Sequence, residues 1–392
     1  MLRWHSVLQE LVQARSVFGA EHAAIAIVER EIERLGLEPI AIPFDPIRLA
    51  SLAGAQPPFC PVPGRRNVMA RIAGSGGGRS LIVNCHLDTV PEGDPRDWTR
   101  NPLSGHIEDG VIHGRGTYDD KAGVVICLAI LERMLKQQPR GDVIAQFVLE
   151  DETTGNGSLL CLEDGGRADA AIIVDGTRGD RGINEHAGNV RFGVTVFGAP
   201  ASVSVSHVGV NAAEMLAQLL LEIRSAIFAL NAANTPPWNQ YPSPNQCSVV
   251  SMTCPETTMT VPALASATCY ATFTPPHRLA TFRDMTEGIT CGFAARHGLA
   301  RTPIVDWHFE AEPVRSHAED LEAAIRTAAG DVPFGPSTGT SDLRHFVDRA
   351  IPCVLFGPGR GKNPHRPDES FDLASLDEMT AVIASAVEAW CA

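Results

Sequence analysis

The 392-residue chain has no cysteine pair spaced CxxC, and its ten cysteines are scattered, so neither a thiolate metal knuckle nor a dithiol redox motif is on offer. Cys85 and Cys127 fall in apolar segments and read as small core residues of a reducing compartment, and no cysteine is expected to be a nucleophile. The amino terminus lacks a basic segment followed by a long apolar run; MLRWHSVLQELVQARSVFG instead sets Leu2, Trp4, Leu8, Leu11 and Val12 at helical spacing. Neither a signal peptide nor a membrane span is expected, and the expected location is cytoplasmic. Positive charge is also scarce: 32 Lys and Arg against 46 Asp and Glu give a formal net charge of -14, which speaks against nucleic acid or an anionic membrane as partner. No internal repeat or low-complexity tract is present.

What is there is enough apolar residue, 44%, for more than one core, and the length makes two domains the prior. Helical patterns at residues 2–14 and 22–35 and a Pro/Gly-rich loop at 51–65 precede an alternation of strands and helices up to residue 175, the pattern of a doubly wound sheet. Beyond it the character changes. A half-exposed strand at 190–197, a long amphipathic helix at 212–230 and Pro-rich or Thr-rich stretches at 235–244 and 247–273 suit a small α+β sandwich of strand, helix, strand, strand and helix closing near residue 297. The expected division is a split α/β domain, 1–182 and 301–392, around an insert at 183–300.

The chemistry gathers at strand ends. LIVNC, residues 81–85, is a short continuous apolar run of the buried-strand kind, so His86 and Asp88 of HLDTVP emerge at its carboxyl end, where open α/β sheets keep their sites. Alone, that HxD would equally suit a core histidine satisfied by a carboxylate. Asp119 follows a Gly-rich turn at a helix entrance, where an acid can also be an N-cap. Apolar strands at 143–149 and 170–174 then run into Glu150, Asp151 and Glu152, and into Asp175. Near the far end NPHRPDES supplies His365 beside Asp368 and Glu369. Buried carboxylates are costly without a compensating cation, and these segments together make two overlapping nitrogen and oxygen sites with one carboxylate as bridge. They suit Zn²⁺ first, with Co²⁺ or Mn²⁺ as alternatives.

With HLDTVP, WTRNPLSGHIEDGVIHGRGTYDDKAG, the acidic triplet with TTGNGS, AIIVDGT, GVNAAE, GTSDLR and FGPGRGKNPHRPDES in that order, the chain resembles the M20 family of metal-dependent peptidases and deacylases over nearly its whole length. The resemblance implies a zinc-peptidase-like catalytic domain with an inserted ferredoxin-like lid and dimerisation domain, a homodimer, and two divalent metal ions. His86 and Asp175 would hold one ion, Glu152 and His365 the other, and Asp119 would bridge them; Asp88 would fix the His86 tautomer, and the bond between Asp119 and Asp120 would be cis. The reaction implied is hydrolysis of the amide of a small N-acyl amino acid, peptide or related carboxylated amide by a metal-activated water.

Departures from the family pattern fall elsewhere. The proton-carrying glutamate before the metal-binding one is Asp151 here, shorter by a methylene; Asp151 ranks first for that role and its neighbour Glu150 second. The lid histidine slot holds Ser202, with His207 five residues on reading as a loop residue. The lid arginine slot holds Phe273 or a neighbour, and Met252, Thr253 and Cys254 replace a Gly-Gly turn before TVPA. Arg344 of GTSDLR matches a position that can grip a substrate carboxylate, or is a salt-bridged surface arginine. These replacements keep a second reading open: a catalytically silent, metal-stabilised binding or regulatory protein.

Overall fold

The computed structural model describes residues 3–60, 63–255 and 258–392. Leu2 of the expected first helix lies outside them, as do residues 61–62 of the expected loop and 256–257 of the Thr-rich stretch. The chain divides into two compact units, one of Met1–Asn184, Arg315–Gly335 and Ser341–Ala392, the other of Glu185–Val314 and Pro336–Thr340.

The first unit is an α/β layer structure. Its sheet carries, in order, the strands Ile40–Pro43, Arg66–Ile72, Val143–Val148, Leu81–His86, Ala170–Ile173 and Cys353–Leu355. The last four are mutually parallel, so their carboxyl ends share one edge. All six residues of both Leu81–His86 and Val143–Val148 are buried, as strands covered on both faces must be. Alternation sorts the side chains: Val143, Ala145 and Phe147 pack with the helix Lys121–Gln137, while Val148 joins Leu160 and Cys161 of the helix Asn156–Glu163.

From Leu81–His86 the chain crosses through Lys121–Gln137 to the neighbouring strand Val143–Val148, then through Asn156–Glu163 to Ala170–Ile173 on the opposite side of Leu81–His86. That reversal opens a crevice beyond the carboxyl ends of these strands. A small antiparallel sheet of Gly361–Lys362, Ser370–Asp372, Val111–His113 and His106–Glu108 ties the segment containing His365 to the one leading into Asp119.

The second unit runs strand Gly188–Phe197, helix Ala212–Ala229, strands Gln246–Thr253 and Leu264–Phe273, helix Leu279–His297 and strand Ile304–Ala311. This is the split βαβ order of ferredoxin-like folds. Its antiparallel sheet places Gln246–Thr253 at one edge and Ile304–Ala311 at the other. Ile304–Ala311 belongs here because its ladder partner is Gly188–Phe197. Val190, Phe192, Val194 and Val196 turn alternate side chains onto Leu216, Leu219, Ile223 and Phe282 of the helices.

Gly123, in the first turn of Lys121–Gln137, lies where an added Cβ would overlap the Asp120 carboxylate and the Val174 carbonyl. Gly123→Ala should therefore cost about 1–3 kcal/mol, a fall of roughly 2–12 °C in melting temperature despite alanine's better helix propensity. A melting curve equal to the parent's would show that this helix entrance has room for a methyl group.

Candidate metal centre

Each expected strand-end acid or histidine can be followed to its atoms. His86 closes the strand Leu81–His86 and is 2% exposed. Its Nδ1–H donates to the Asp88 backbone carbonyl at 2.9 Å, whereas the nearest Asp88 carboxylate oxygen is 3.7 Å from that nitrogen. The expected tautomer-fixing carboxylate is thus corrected to a carbonyl of the same residue: the turn brings the Asp88 backbone, not its side chain, within hydrogen-bond reach. Nε2 is left pointing at Asp119 Oδ1, 2.9 Å away.

Asp119 meets a second histidine through its other oxygen, His365 Nε2 at 2.9 Å from Oδ2, and His365 Nε2 also lies 3.0 Å from Glu152 Oε2. The donor atoms form two groups, His86, Asp119 and Asp175, and Asp119, Glu152 and His365, each with its atoms within 4.8 Å of one another. The peptide bond from Asp119 to Asp120 is cis.

The donor set fits a pair of divalent cations. Nitrogen and carboxylate oxygen are what such ions take, and three or more acids crowded in a buried pocket need positive charge nearby. Glu152 Oε1 and Asp88 Oδ1 are buried without a hydrogen-bond partner. Burial, with neighbouring carboxylates after it, pushes Asp151, Glu152 and Asp175 up to about 7. Burial would also raise Asp119, but its hydrogen bonds to His365 and His86 outweigh it and hold this carboxyl below the ordinary range. The same contacts with Asp119 and Glu152 lift His365 to about 10.

Asp151 and Glu150 separate sharply. The Asp151 carboxylate stands 4.0 Å from His86 Nε2, partly exposed. Glu150 is fully buried, its Oε1 taken by Arg65 Nη1 at 2.5 Å and its Oε2 by Thr154 Oγ1 at 2.5 Å and Asn156 Nδ2 at 3.3 Å. The second-ranked proton carrier is therefore held behind the loop, away from His86. Arg344 also departs from expectation. It is neither an open carboxylate grip nor a surface residue, being 7% exposed and donating to Thr154 O at 2.6 Å and Ser341 O at 3.0 Å.

Glu369 is the contributor that sequence reasoning passed over, although it stands in the same motif as His365. Its carboxylate accepts from the backbone N–H of Gly116, Tyr118 and Asp119 at 2.9–3.1 Å and from Arg115 Nη1 at 2.6 Å, fixing the turn that presents Asp119. In the second unit, Ser202 is exposed with its hydroxyl on Ser204, His207 is exposed, and Phe273 is buried against Phe282 at 5.0 Å between ring centroids. Met252 and Thr253 continue the strand Gln246–Thr253.

Residues 82–389 match the family model described as peptidase family M20/M25/M40. The chain belongs to that family. Among relatives of this M20 chain, the succinyl-diaminopimelate desuccinylase of Methylobacterium nodulans is 28% identical, over 98% of this chain and 95% of that one. In fold, an M20 metallo-carboxypeptidase from Sulfolobus solfataricus superposes with a TM-score of 0.77 at 17% identity, covering 100% of this chain and 99% of that one. A dinuclear metal-binding M20 peptidase from Bacillus subtilis superposes with a TM-score of 0.67 at 16% identity, covering 99% and 98%. The M20 chain is a metal-dependent hydrolase of amide bonds, and the alternative of a catalytically silent binding protein finds no support among these relatives.

Stripping the metal has a consequence with a definite sign. A carboxyl raised from 3.8 or 4.5 to about 7 binds more protons folded than unfolded, so the stripped protein loses stability as pH rises through that window. His365, raised from 6.5 to about 10, adds a loss of the same sign at higher pH. Asp119, lowered from 3.8, contributes stability that is lost only in more acidic solution. The melting temperature of chelator-treated protein should fall between pH 5 and pH 8, and its gap from metal-loaded protein should widen, since a bound cation replaces the protons. A gap that stays constant or narrows towards pH 8 would contradict the cluster's electrostatics.

Proposed function

We propose that this M20 chain hydrolyses the amide bond of a small N-acyl amino acid or peptide carrying a carboxylate, with two divalent ions held around one shared aspartate. The observation that carries the reading is the pair of donor groups meeting at Asp119. His86, Asp119 and Asp175 would hold one ion, and Asp119, Glu152 and His365 the other. The nitrogen and oxygen donors favour Zn²⁺, with Co²⁺ or Mn²⁺ as alternatives. The dinuclear Bacillus subtilis neighbour supports a count of two, and the desuccinylase and carboxypeptidase relatives support the substrate class.

When bound, such an ion pair supplies a polarised carbonyl and a water acidic enough to be deprotonated near neutral pH. The chain's own residues do the rest. Asp151, with its carboxylate 4.0 Å from His86 Nε2, would accept a proton from the attacking water and pass it to the nitrogen of the departing amine. The Asp88 carbonyl keeps the His86 proton on Nδ1 and so directs the Nε2 lone pair into the site. Glu369, through three backbone N–H groups, holds Asp119 at the centre. The substrate carboxylate is not assigned to Arg344, whose guanidinium is committed to backbone carbonyls.

A homodimer forms through the second unit. Gln246–Thr253 is an edge strand exposing Val249, Val250 and Met252, and the helix Ala212–Ala229 exposes Leu221 and Phe228. An unpaired apolar edge of this kind is a surface for pairing with another chain. Ten free cysteines support a cytoplasmic location, and among the described residues no helix is long and apolar enough to cross a membrane.

Metal analysis should find about two ions per chain, and amine release should appear on a panel of N-acyl amino acids and dipeptides with the free acid preferred over its methyl ester. Asp151→Asn should lower kcat at least about a hundredfold at unchanged metal content, because an amide cannot accept the proton. Full turnover in Asp151→Asn would remove Asp151 from the proton path, and a metal-free protein active on the panel would end the two-ion reading.

A further inference from the structure

Behind the loop that carries Asp151 and Glu152 lies a buried charge system with no direct part in the chemistry. Arg65, immediately before the strand Arg66–Ile72, is 4% exposed. It spans two fully buried carboxylates, with Nη2 at 2.7 Å from Glu21 Oε1 and Nη1 at 2.5 Å from Glu150 Oε1. Its Nη1 also donates to the Cys60 carbonyl at 2.8 Å. Glu21 is anchored at the start of the helix His22–Arg34 and accepts from Gly19 N at 3.0 Å. A buried ion system of this kind adds little stability over apolar packing, so its use is to be sought in what it positions.

Glu150 adopts a left-handed backbone, φ 66, which a side chain takes only when its surroundings enforce it. Its carbonyl accepts from the N–H of Thr153, Thr154 and Gly155 at 3.3, 2.9 and 2.7 Å, folding residues 150–155 into one tight turn with Asp151 and Glu152 on it. The far side of that turn is held by Arg344, through Thr154 O at 2.6 Å. Gly155 sits so close that a Cβ would collide with Arg344 Nη2 and Asp342 Oδ1.

We propose that Arg65 and Arg344 are positioning residues that clamp this turn from two sides, Arg65 through the Glu150 carboxylate and Arg344 through the Thr154 carbonyl, and so set the reach of the short Asp151 side chain. The inference rests on the proposed role of Asp151. A residue one methylene shorter than glutamate depends on where its backbone is placed, and a misplacement of ~1 Å costs roughly a hundredfold in rate.

Arg65→Met and Glu150→Gln should each lower kcat about a hundredfold with KM within about threefold, and the double variant should be no slower than the worse single, since both remove one interaction. The ion held by Glu152 should be lost to a competing chelator at about tenfold lower concentration, a readout independent of turnover. Arg65→Lys, which keeps the charge, should recover part of kcat and guards against a variant that fails to fold. Losses that multiply in the double variant, or melting temperatures that fall while kcat per metal-loaded chain stays at the parent's value, would overturn the clamp. Asp151→Asn separates the two claims. If it is inactive while the Arg65 and Glu150 variants turn over normally, the clamp alone fails; if it is fully active, the reading of Asp151 fails first.

Discussion

Asp119 is the residue on which the site hangs. Its two oxygens each meet a histidine nitrogen at 2.9 Å, one from the end of a central strand and one from the carboxyl-terminal segment. That position is reached through a chain of constraints. Four parallel strands deliver His86, the acidic triplet, Asp175 and the segment after residue 355 to one edge of the sheet. The small sheet of Ser370–Asp372 and Val111–His113 then brings Glu369 under the turn that presents Asp119. Loosening any of these would separate donors that must lie within a few ångströms.

The crowding of acid around that point sets the electrostatic character of the molecule. In water each of these carboxylates would be ionised at neutral pH; here burial raises three of them to about 7. A cation is the economical resolution, since it neutralises several acids at once and satisfies oxygens such as Glu152 Oε1 that have no hydrogen-bond partner. Other buried carboxylates are met by guanidinium groups, Arg65 between Glu21 and Glu150 and Arg115 on Glu369, while Arg344 ties the Thr154 carbonyl behind the Asp151 turn.

Much of this was legible along the chain. A run such as LIVNC reads as a buried strand with His86 at its end, so the α/β class was legible from apolar periodicity, whereas His86, Asp119, Glu152, Asp175 and His365 were singled out as a ligand set by the ordered motifs that resemble the M20 family. Other assignments were not legible, because they depend on which face of a turn a side chain leaves. The slot before Glu152 favoured Asp151 over its neighbour Glu150 without saying where either side chain goes; the left-handed backbone at Glu150 sends one to Arg65 and the other towards His86. Arg344 looked like an available cation because one sequence does not reveal that Thr154, 190 residues earlier, supplies its partner.

Sequence by itself determined the element types, the two-unit character and the chemical kind of the centre, since hydrophobic period, residue type and motif order are local quantities. Tertiary structure alone decided which sheet Ile304–Ala311 joins, that the Asp88 carbonyl and not its carboxylate fixes His86, and that Glu369 holds the Asp119 turn through backbone N–H groups. These are contacts between segments far apart in the chain or differences of about an ångström within a turn. Their energies arise only when the sheet is assembled and water has been excluded.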